Sequence, residues 1–271
     1  MSRNGHRPER LERAVPSLGR LSRPVYARVE SLPPGSWTRL HLHDWTQLSY
    51  AVRGVLTVRT AAGTFFAPPQ RAVWIPAGLE HEVSTSGRAE MRSLYLDRRV
   101  RSLPTRCRVV DVSPLVRELI RSVCAIPVEY DERGPDGRLV RVLLDQLRAL
   151  PEVAFSLPMP ADPRLARVAE ALQRAPDERR TLAGWARGAG ASERTLARLF
   201  RRETGLAFGE WRRRLRLLAS LSALEEGASV TAVAIDCGYE SPSAFIAAFR
   251  RLFGGTPAEF VRARQPAGPP A

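Results

Sequence analysis

The feature that most constrains the fold of this chain is an internal repeat in its C-terminal part, where two segments align at an offset of 48 to 49 residues. Each copy contains a small residue, then a glycine, then a serine, which are Ala186, Gly190 and Ser192 in the first copy and Ala234, Gly238 and Ser241 in the second. This order is typical of a helix-turn-helix, because the small residue lets two helices cross closely, the glycine takes the positive φ of the turn and the serine caps the second helix. One such hairpin is common, but two matching copies predict an all-α domain with two helix-turn-helix units.

The second helix of each predicted unit has an apolar face for the core and an outer face for a partner. The candidate DNA-contacting residues are Arg194, Thr195, Ala197, Arg198, Arg201 and Arg202 in the first unit and Ser241, Ser243, Ala244, Ala247, Arg250 and Arg251 in the second. The guanidinium groups of Arg194 and Arg198 suit guanine O6 and N7, whereas the other four arginines are typical of phosphate contacts. A long helix from Phe208 through Leu224 separates the units, so we expect recognition helices about 34 Å apart that enter successive major grooves.

The C-terminal part contains a signature in the segments Ala234–Phe245 and Phe249–Pro257, followed by Phe260 and Arg262. With this signature, residues 163–264 resemble the DNA-binding domain of the AraC/XylS family of bacterial transcription regulators. One position departs from the family pattern, because Ala247 stands where the family usually has an exposed arginine. The resemblance implies double-stranded DNA as a partner, RNA polymerase as a further partner if the protein is an activator, and less base-specific hydrogen bonding by the second unit than by the first.

The composition fits a polyanionic partner and argues against several other classes of protein. The 42 basic residues are all arginine and outnumber the 28 acidic ones, which gives a net charge of +14; arginine suits phosphates and base edges, although the absence of lysine is better explained by genomic base composition. The chain contains no run of about 18 apolar residues, so no membrane span is predicted. The polar N-terminus lacks the apolar core of a secretory signal. Cys107, Cys124 and Cys237 are odd in number and lack C-x-x-C spacing, which argues against a disulfide framework and predicts a cytoplasmic location.

The N-terminal part has the pattern of a small β domain. Short β-rich runs follow one another from Pro24 to about Leu96, separated by glycines and prolines, and this spacing predicts a sandwich or small barrel. His41 and His43 are two positions apart, so we expect them on the same face of a strand. The spacings Gly35-x5-His41-x-His43-x3-Gln47-x6-Gly54 and Pro76-x-Gly78-x2-His81 resemble the two motifs of cupin barrels.

The cupin resemblance leaves two interpretations of the histidines. In metal-binding cupins the residues equivalent to His41, His43 and His81 are ligands together with a glutamate, so a divalent ion such as Zn, Fe, Ni or Mn is one interpretation. Here Gln47 replaces that glutamate, and its neutral amide favours the other interpretation, a pocket for a small effector lined by His41, His43, Gln47 and His81 with Trp45 on its wall. Further wall candidates are Trp37, Tyr50 and Trp74, although each of these four aromatic residues, taken alone, is more typical of the core.

The region after the β domain changes to helical spacing. Ser113-Pro114 predicts a helix start, and two leucine-rich stripes follow at Leu115–Val123 and Leu139–Leu150. The stripes either pack on the β domain or form a dimer interface. The prolines that follow predict a linker with few contacts at 151–162, so that a fragment beginning near Ala161 should fold alone.

These observations predict an α+β protein of two domains. The expected divisions are a disordered arm at 1–22, a cupin-like effector-binding β-barrel at 23–100, a helical dimerisation segment at 101–150, a linker at 151–162, the DNA-binding domain at 163–264 and a disordered tail at 265–271. The expected function is that of a homodimeric, sequence-specific transcription regulator that senses a small effector and is not an enzyme. The alternatives are a cupin metalloenzyme with a helical appendage, such as a dioxygenase or isomerase, and a DNA-architectural protein without sensing.

Overall fold

The computed structural model describes residues 10–262 of the chain, which divides into two compact units. The first unit contains the described residues up to Thr60 together with Phe65–Ala154. The second contains Ala61–Thr64 together with the residues from Phe155 onward. The expected tail at 265–271 and the first nine residues of the expected arm lie outside the described residues.

Strands make up most of the first unit. Their bounds are β1 Leu11–Arg13, β2 Val25–Leu32, β3 Ser36–Thr38, β4 Thr46–Arg53, β5 Leu56–Thr60, β6 Gly63–Ala67, β7 Arg71–Ile75, β8 Glu82–Ser84, β9 Ala89–Leu96 and β10 Arg108–Asp111. One sheet has neighbours in the order β1-β3-β8-β5-β6, and the other has the order β10-β7-β4-β9-β2 with antiparallel pairing throughout. The β-rich runs of the sequence are thus confirmed as strands of a cupin-like domain.

The N-terminal segment is ordered from residue 10, so the prediction of a disordered arm is wrong for 10–22. Arg13, at the end of β1, donates a hydrogen bond from Nη1 to Glu30 Oε1 on β2 at 2.7 Å. Further along, Leu21 is buried and packs with Trp45. These anchors are a few isolated side chains in an otherwise polar segment, which is why no periodic pattern reveals them.

Two helices complete the first unit, α1 at Pro114–Val123 and α2 at Pro135–Arg148. Ser113 caps α1 as predicted, because its side chain accepts a hydrogen bond from the backbone N–H of Val116. The buried members of both leucine-rich stripes share one core with the sheet; they are Val116, Ile120, Val123, Val140, Leu143, Leu144, Leu147 and Leu150. Of the two interpretations, packing on the β domain therefore accounts for most of each stripe.

Helices make up most of the second unit. They are α3 Pro163–Arg174, α4 Leu182–Gly188, α5 Glu193–Thr204, α6 Phe208–Glu225, α7 Val230–Asp236, α8 Pro242–Phe253 and α9 Pro257–Arg262. Six aromatic or leucine side chains from α5, α6 and α8 form the centre of this unit and are almost fully buried; they are Leu196, Phe200, Trp211, Leu218, Phe245 and Phe249. No helix among residues 10–262 is long and apolar enough to span a bilayer.

The segment expected as a linker at 151–162 has more structure than its prolines predict. It contains a short strand, β11 Ser156–Pro158, and two buried apolar side chains, Phe155 and Leu157. The expectation of few contacts is therefore wrong for this part of the segment. Proline excludes a helix interior but tolerates a short strand at a sheet edge, and the side chains between the prolines decide the packing.

Candidate functional site

The first helix-turn-helix unit consists of α4 and α5. Gly190 in the turn has a φ of 64°, which an L side chain rarely adopts. Ser192 then caps α5, because its Oγ accepts a hydrogen bond from the backbone N–H of Thr195 at 3.1 Å. Ala186 on α4 is 4% exposed, so its small side chain lies in the contact between the helices. The structure thus contains the turn that the sequence predicts.

The second unit, α7 and α8, repeats this arrangement. Gly238 has a φ of 73°, Ser241 Oγ accepts from the N–H of Ala244 at 3.2 Å, and Ala234 is fully buried. Both α5 and α8 end at a glycine in the left-handed conformation, Gly205 or Gly254. The repeat is therefore structural as well as sequential, down to the residues that begin and end each recognition helix.

The predicted DNA-contacting residues form one face on each recognition helix. On α5 the exposed residues are Arg194, Ala197, Arg198, Arg201 and Arg202, with Thr195 half-buried; on α8 they are Ser243, Ala244, Ala247, Arg250 and Arg251, with Ser241 half-buried. The hydroxyl oxygens of Ser192 and Ser241 each accept one cap hydrogen bond, and the Ser192 hydroxyl also lies 2.8 Å from the hydroxyl of Thr195.

The two faces differ in chemistry although they match in position. Both carry a pair of arginines toward the C-terminal end, Arg201 with Arg202 and Arg250 with Arg251. Toward the N-terminal end α5 has exposed arginines, whereas α8 has small side chains at every exposed position. The face of α5 can therefore donate hydrogen bonds to base edges, and the face of α8 can make close apolar contacts.

A single helix of 18 residues, α6, connects the two helix-turn-helix units. Its Trp211 is fully buried and packs edge-on against Phe200 of α5, with ring centroids 5.5 Å apart. Two of its arginines bind backbone carbonyls of the loop after α3: Arg212 Nη2 donates to Glu178 at 2.6 Å, and Arg216 Nε donates to Pro176 at 2.9 Å. The binding of loop carbonyls by these two arginines could not be predicted from the sequence, because charged residues within a helix are more often solvated.

The three histidines of the first unit lie together. The ring centroids are 4.3 Å apart for His41 and His81, 5.0 Å for His43 and His81, and 5.9 Å for His41 and His43. The expected common strand is not what aligns them, because His41 forms an isolated bridge with His81 by reciprocal backbone hydrogen bonds, and His43 lies outside the strands. This bridge could not be read from spacing, since it pairs residues 40 positions apart.

Each of these imidazoles is held by its Nδ1 atom against a backbone carbonyl. The partners are Arg39 for His41 at 2.8 Å, Trp45 for His43 at 2.7 Å and Leu79 for His81 at 2.8 Å. A carbonyl oxygen only accepts, so Nδ1 carries the proton in every ring and Nε2 keeps its lone pair. Burial lowers the pKa of all three histidines, that of His81 to about 3, so the rings are neutral at pH 7.

Gln47 lies beside this cluster. Its amide is 2.9 Å from Nε2 of His43 and 2.7 Å from Oγ of Ser49. Because Nε2 of His43 holds a lone pair, both neighbours are satisfied when the amide NH₂ faces His43 and the amide oxygen accepts from the Ser49 hydroxyl. By contrast, Nε2 of His81 is buried and has no hydrogen-bond partner within residues 10–262.

Two cavities adjoin the histidines, and they differ greatly in size. The smaller has a volume of about 20 Å³ and lies between the sheets, since it is lined by Thr38 and Val83 of one and by Gln47 and Tyr95 of the other, together with His41 and His43. The larger is an open cleft of about 770 Å³, lined by residues 15–21, 42–45 and 97–99. Only the larger has the size of a typical organic-ligand site.

The predicted pocket residues are thus divided between these spaces. His43 and Trp45 line both cavities, His41 and Gln47 line only the smaller one, and His81 lines neither. Tyr50 and Trp74 belong to the core that carries α1 and α2, which excludes them as pocket walls. The wall formed by residues 15–21 could not be predicted from the sequence, because this polar segment has no periodic pattern of apolar residues.

Sequence comparison places both units among known regulators. The family described as AraC-like ligand binding domain matches residues 27–148, and the family described as helix-turn-helix domain matches residues 185–263. The HTH-type transcriptional regulator NimR of Escherichia coli K12 is 33% identical over 258 residues, which cover 95% of this chain and 91% of that protein. The HTH-type transcriptional regulator RipA of Corynebacterium glutamicum is 37% identical over 104 residues, or 38% of this chain and 31% of that protein.

Among solved structures, ToxT from Vibrio cholerae O395 aligns with 90% of this chain and 99% of its own, at 9% identity and a TM-score of 0.39. A regulator with an AraC-type DNA-binding domain from Chromobacterium violaceum aligns with 40% of this chain and 97% of its own, at 26% identity and a TM-score of 0.37.

Proposed function

The chain belongs to the AraC family of transcription regulators, and we propose that it reads duplex DNA with α5 and α8 while its first unit responds to a small molecule. The observation that carries the proposal is the pair of matched exposed faces on the two recognition helices. Catalysis by a cupin metalloenzyme does not require two helix-turn-helix units. We therefore favour DNA binding over catalysis as the activity of this chain.

On DNA, we place α5 and α8 in successive major grooves on one side of the duplex. Arg194 and Arg198 then face base edges in the first groove, and Ser243 with Ala247 takes the equivalent positions in the second. The arginine pairs near the C-terminal ends contact phosphates and set the position of each helix on the backbone. The two helix-turn-helix units would therefore contact the DNA phosphates in the same way and contact the bases differently.

For the effector, we propose the cleft of about 770 Å³ rather than the small space beside Gln47. Its walls offer the indole of Trp45 and the imidazole of His43, which stack at a centroid distance of 4.8 Å. The cleft is also lined by Arg98, paired with Asp44, and by Arg99, paired with Asp97. An apolar surface rimmed by a few charged groups is typical of a site for a small organic molecule.

We further propose that the protein acts as a homodimer through the outer face of α1 and α2. Most of each leucine-rich stripe is buried within the chain, but Leu115 is 56% exposed and Val142 is 48% exposed. These side chains remain to be covered by a second copy.

If the protein activates transcription, RNA polymerase is a further partner.

The test is a DNA-binding titration of the full chain against duplexes recovered by genome-wide mapping of bound sites. Replacing Arg201 and Arg202 with alanine should weaken binding to every sequence, because phosphate contacts are lost. The charge-matched control replaces Arg53 and Arg106, which are exposed residues outside α1 and α2 and are paired with Glu90 and Glu152. Equal loss in both double variants would overturn the assignment of α5, and absence of bound sites would overturn DNA reading itself.

A further inference from the structure

The second unit contains an open cavity of about 950 Å³ that none of the predicted DNA-contacting residues lines. Its walls are residues 176–179 of the loop after α3, one face of α6, and the end of α7 with the turn that follows it. All of these elements belong to one compact unit. The volume is that of a site for an organic molecule, and the chemistry of the walls indicates which kind of molecule fits.

The α6 wall of the cavity has its charges at one end. Arg212 and Arg216 lie one turn apart, toward the N-terminus of α6, and both donate to the backbone carbonyl oxygen of Glu178, from Nη2 atoms at 2.6 and 3.4 Å. Burial lowers the pKa of Arg212, and the charge of Arg216 lowers it further. The carboxylate of Glu178 offsets this only in part, since it forms its ion pair with Arg180 at 3.9 Å. Two like charges held together in this way favour an anion beside them.

The position of Arg216 is fixed by the elements around it. Its Nε donates to the carbonyl oxygen of Pro176 at 2.9 Å. Its Nη1 lies beneath the turn between α7 and α8, because a Cβ added at Gly238 would come within 3.1 Å of it. A guanidinium that is already ordered loses little conformational entropy when it binds a ligand.

The rest of the cavity wall is small and largely apolar. Toward the C-terminal end of the same face, α6 has Ala219, Ser220 and Ala223, and α7 contributes Val233 and Ile235. Ile235 is 65% exposed, which is unusual for a large aliphatic side chain in a cavity wall. The apolar body of a ligand would remove this surface from water and gain free energy by doing so. The walls therefore combine a cationic end with an apolar surface.

The acidic residues of the cavity lie on its rim. Asp177, Asp236 and Glu240 are exposed, as is Arg179, whereas the two arginines of α6 are half-buried. Water and salt screen the exposed charges more strongly than the half-buried ones. A ligand inside the cavity therefore interacts mainly with the guanidinium groups of α6.

Tyr239 adds a hydrogen-bond donor to the cavity lining. Its hydroxyl is buried and has no partner within residues 10–262. Burial raises the pKa of this phenol, so it keeps its proton at neutral pH. A buried donor without an acceptor costs free energy, and an acceptor oxygen of a bound ligand would offset that cost.

We infer that this cavity binds a small organic anion, with its carboxylate, phosphate or sulfonate group at Arg212 and Arg216 and its apolar body against Ala223 and Ile235. The site is separate from the cleft proposed for the effector, which is lined by residues 15–21, 42–45 and 97–99. The inference does not rest on the proposed function, since binding of the anion requires no DNA.

The experiment is a titration of the full chain, carrying isotope-labelled isoleucine methyl groups, with anilinonaphthalenesulfonate, an anion with an aromatic body. We expect a saturable shift of the Ile235 methyl resonance in the NMR spectrum and none for Ile75, which is fully buried in β7. The uncharged analogue phenylnaphthylamine should bind about 10-fold more weakly, because it cannot form charge-assisted hydrogen bonds. Ala223→Phe should abolish the Ile235 shift, because its ring fills the apolar part of the cavity.

Variants of α6 test the role of charge. Arg212→Gln should weaken the sulfonate about 10-fold and leave the uncharged probe unchanged, whereas Arg212→Lys keeps the charge and should lose less. The matched control is Arg213→Gln, since Arg213 is an exposed neighbour on α6 that does not line the cavity, and it should bind the sulfonate like the wild-type chain. The comparison of the two probes on the wild-type chain depends on no variant.

Three results would overturn the inference. The first is an Ile235 methyl that does not move with the sulfonate, and the second is equal affinity for the charged and uncharged probes. The third is a DNA duplex that displaces the sulfonate and binds more weakly to Arg212→Gln, which would assign these arginines to DNA phosphates instead. Duplex binding by the wild-type chain alone tests the proposed function separately.

Discussion

The indole N–H of Trp211 donates a hydrogen bond to the carbonyl oxygen of Pro158 at 2.7 Å. The bond joins the buried face of α6 to the segment just before α3. Two further contacts act in the same region, since Phe155 stacks on Phe253 at a centroid distance of 4.6 Å and Leu157 is fully buried. The second unit therefore extends to Phe155, several residues before the boundary at 163 that composition predicts.

A fragment that begins at Phe155 should be more stable than one that begins at Ala161. The shorter fragment loses the burial of Phe155 and Leu157, about 3–6 kcal/mol together, and leaves the indole of Trp211 without its acceptor, about 1–3 kcal/mol more. Urea unfolding followed by tryptophan fluorescence measures the difference. Equal midpoints for the two fragments would contradict the extended boundary.

The carboxylate of Glu203 should stabilise the second unit in a pH-dependent way. Glu203 Oε2 accepts hydrogen bonds from the backbone N–H groups of Ala161 at 3.0 Å and Asp162 at 2.9 Å. The Asp162 amide is the main cause of the lowered pKa of Glu203. A lowered folded-state pKa gives stability that is present above the unfolded value near 4.5 and lost as pH falls through the folded value.

Glu203→Gln should accordingly destabilise the full chain at pH 7, and the difference should shrink progressively at a series of pH values below 4.5. The measurement is the urea midpoint of both chains at each pH, with Glu193→Gln as the control, because Glu193 is exposed on the same helix. A difference that is constant with pH would mean that the charge of Glu203 is not what matters.

Arg198 and Arg202 should separate base reading from phosphate binding on α5. Arg198→Ala should cost about 1–3 kcal/mol on the best operator and relax preference at one position. Arg202→Ala should instead weaken all sequences alike and reduce the slope of log affinity against log salt by about 0.9. Titrations on a specific and a scrambled duplex at several salt concentrations distinguish them. Identical behaviour of the two variants would refute the division of roles.

The face of α8 should read thymine methyl groups. Its exposed Ala244 and Ala247 have methyl side chains at positions suited to base edges, and apolar contact with the thymine C5-methyl is the available recognition. Replacing thymine with uracil under α8 removes only that methyl and should weaken binding several-fold, whereas the same replacement under α5 should have a smaller effect. Competition between the substituted duplexes measures this, and equal sensitivity of both half-sites would contradict it.

The proposed dimer depends on two exposed side chains of the first unit. Leu115→Glu combined with Val142→Glu should shift the full chain toward monomer without unfolding it. Val29→Glu is the matched control, since Val29 is 60% exposed and belongs to β2 rather than to either helix. Sedimentation equilibrium gives the mass. A wild-type chain that is already monomeric at micromolar concentration would refute the dimer.

The sequence was most informative where local chemistry decides structure. Gly190 and Ser192 predicted a turn and a cap because positive φ and N-capping each require few residue types. The bridge between His41 and His81 was out of reach, since it depends on long-range pairing in the sheets. The order of residues 10–22 was also missed, because single anchors such as Leu21 leave no periodic signal.

The continuity of α6 has a consequence for how binding sites can diverge. A helix without a break transmits any change in its length, so inserting one residue would turn the second helix-turn-helix by about 100° and shift it by about 1.5 Å. Half-sites that match the present chain would then no longer lie on one side of the duplex. Substitutions on α5 and α8 can therefore change which bases are preferred one at a time, whereas the separation of those bases can change only together with the length of α6.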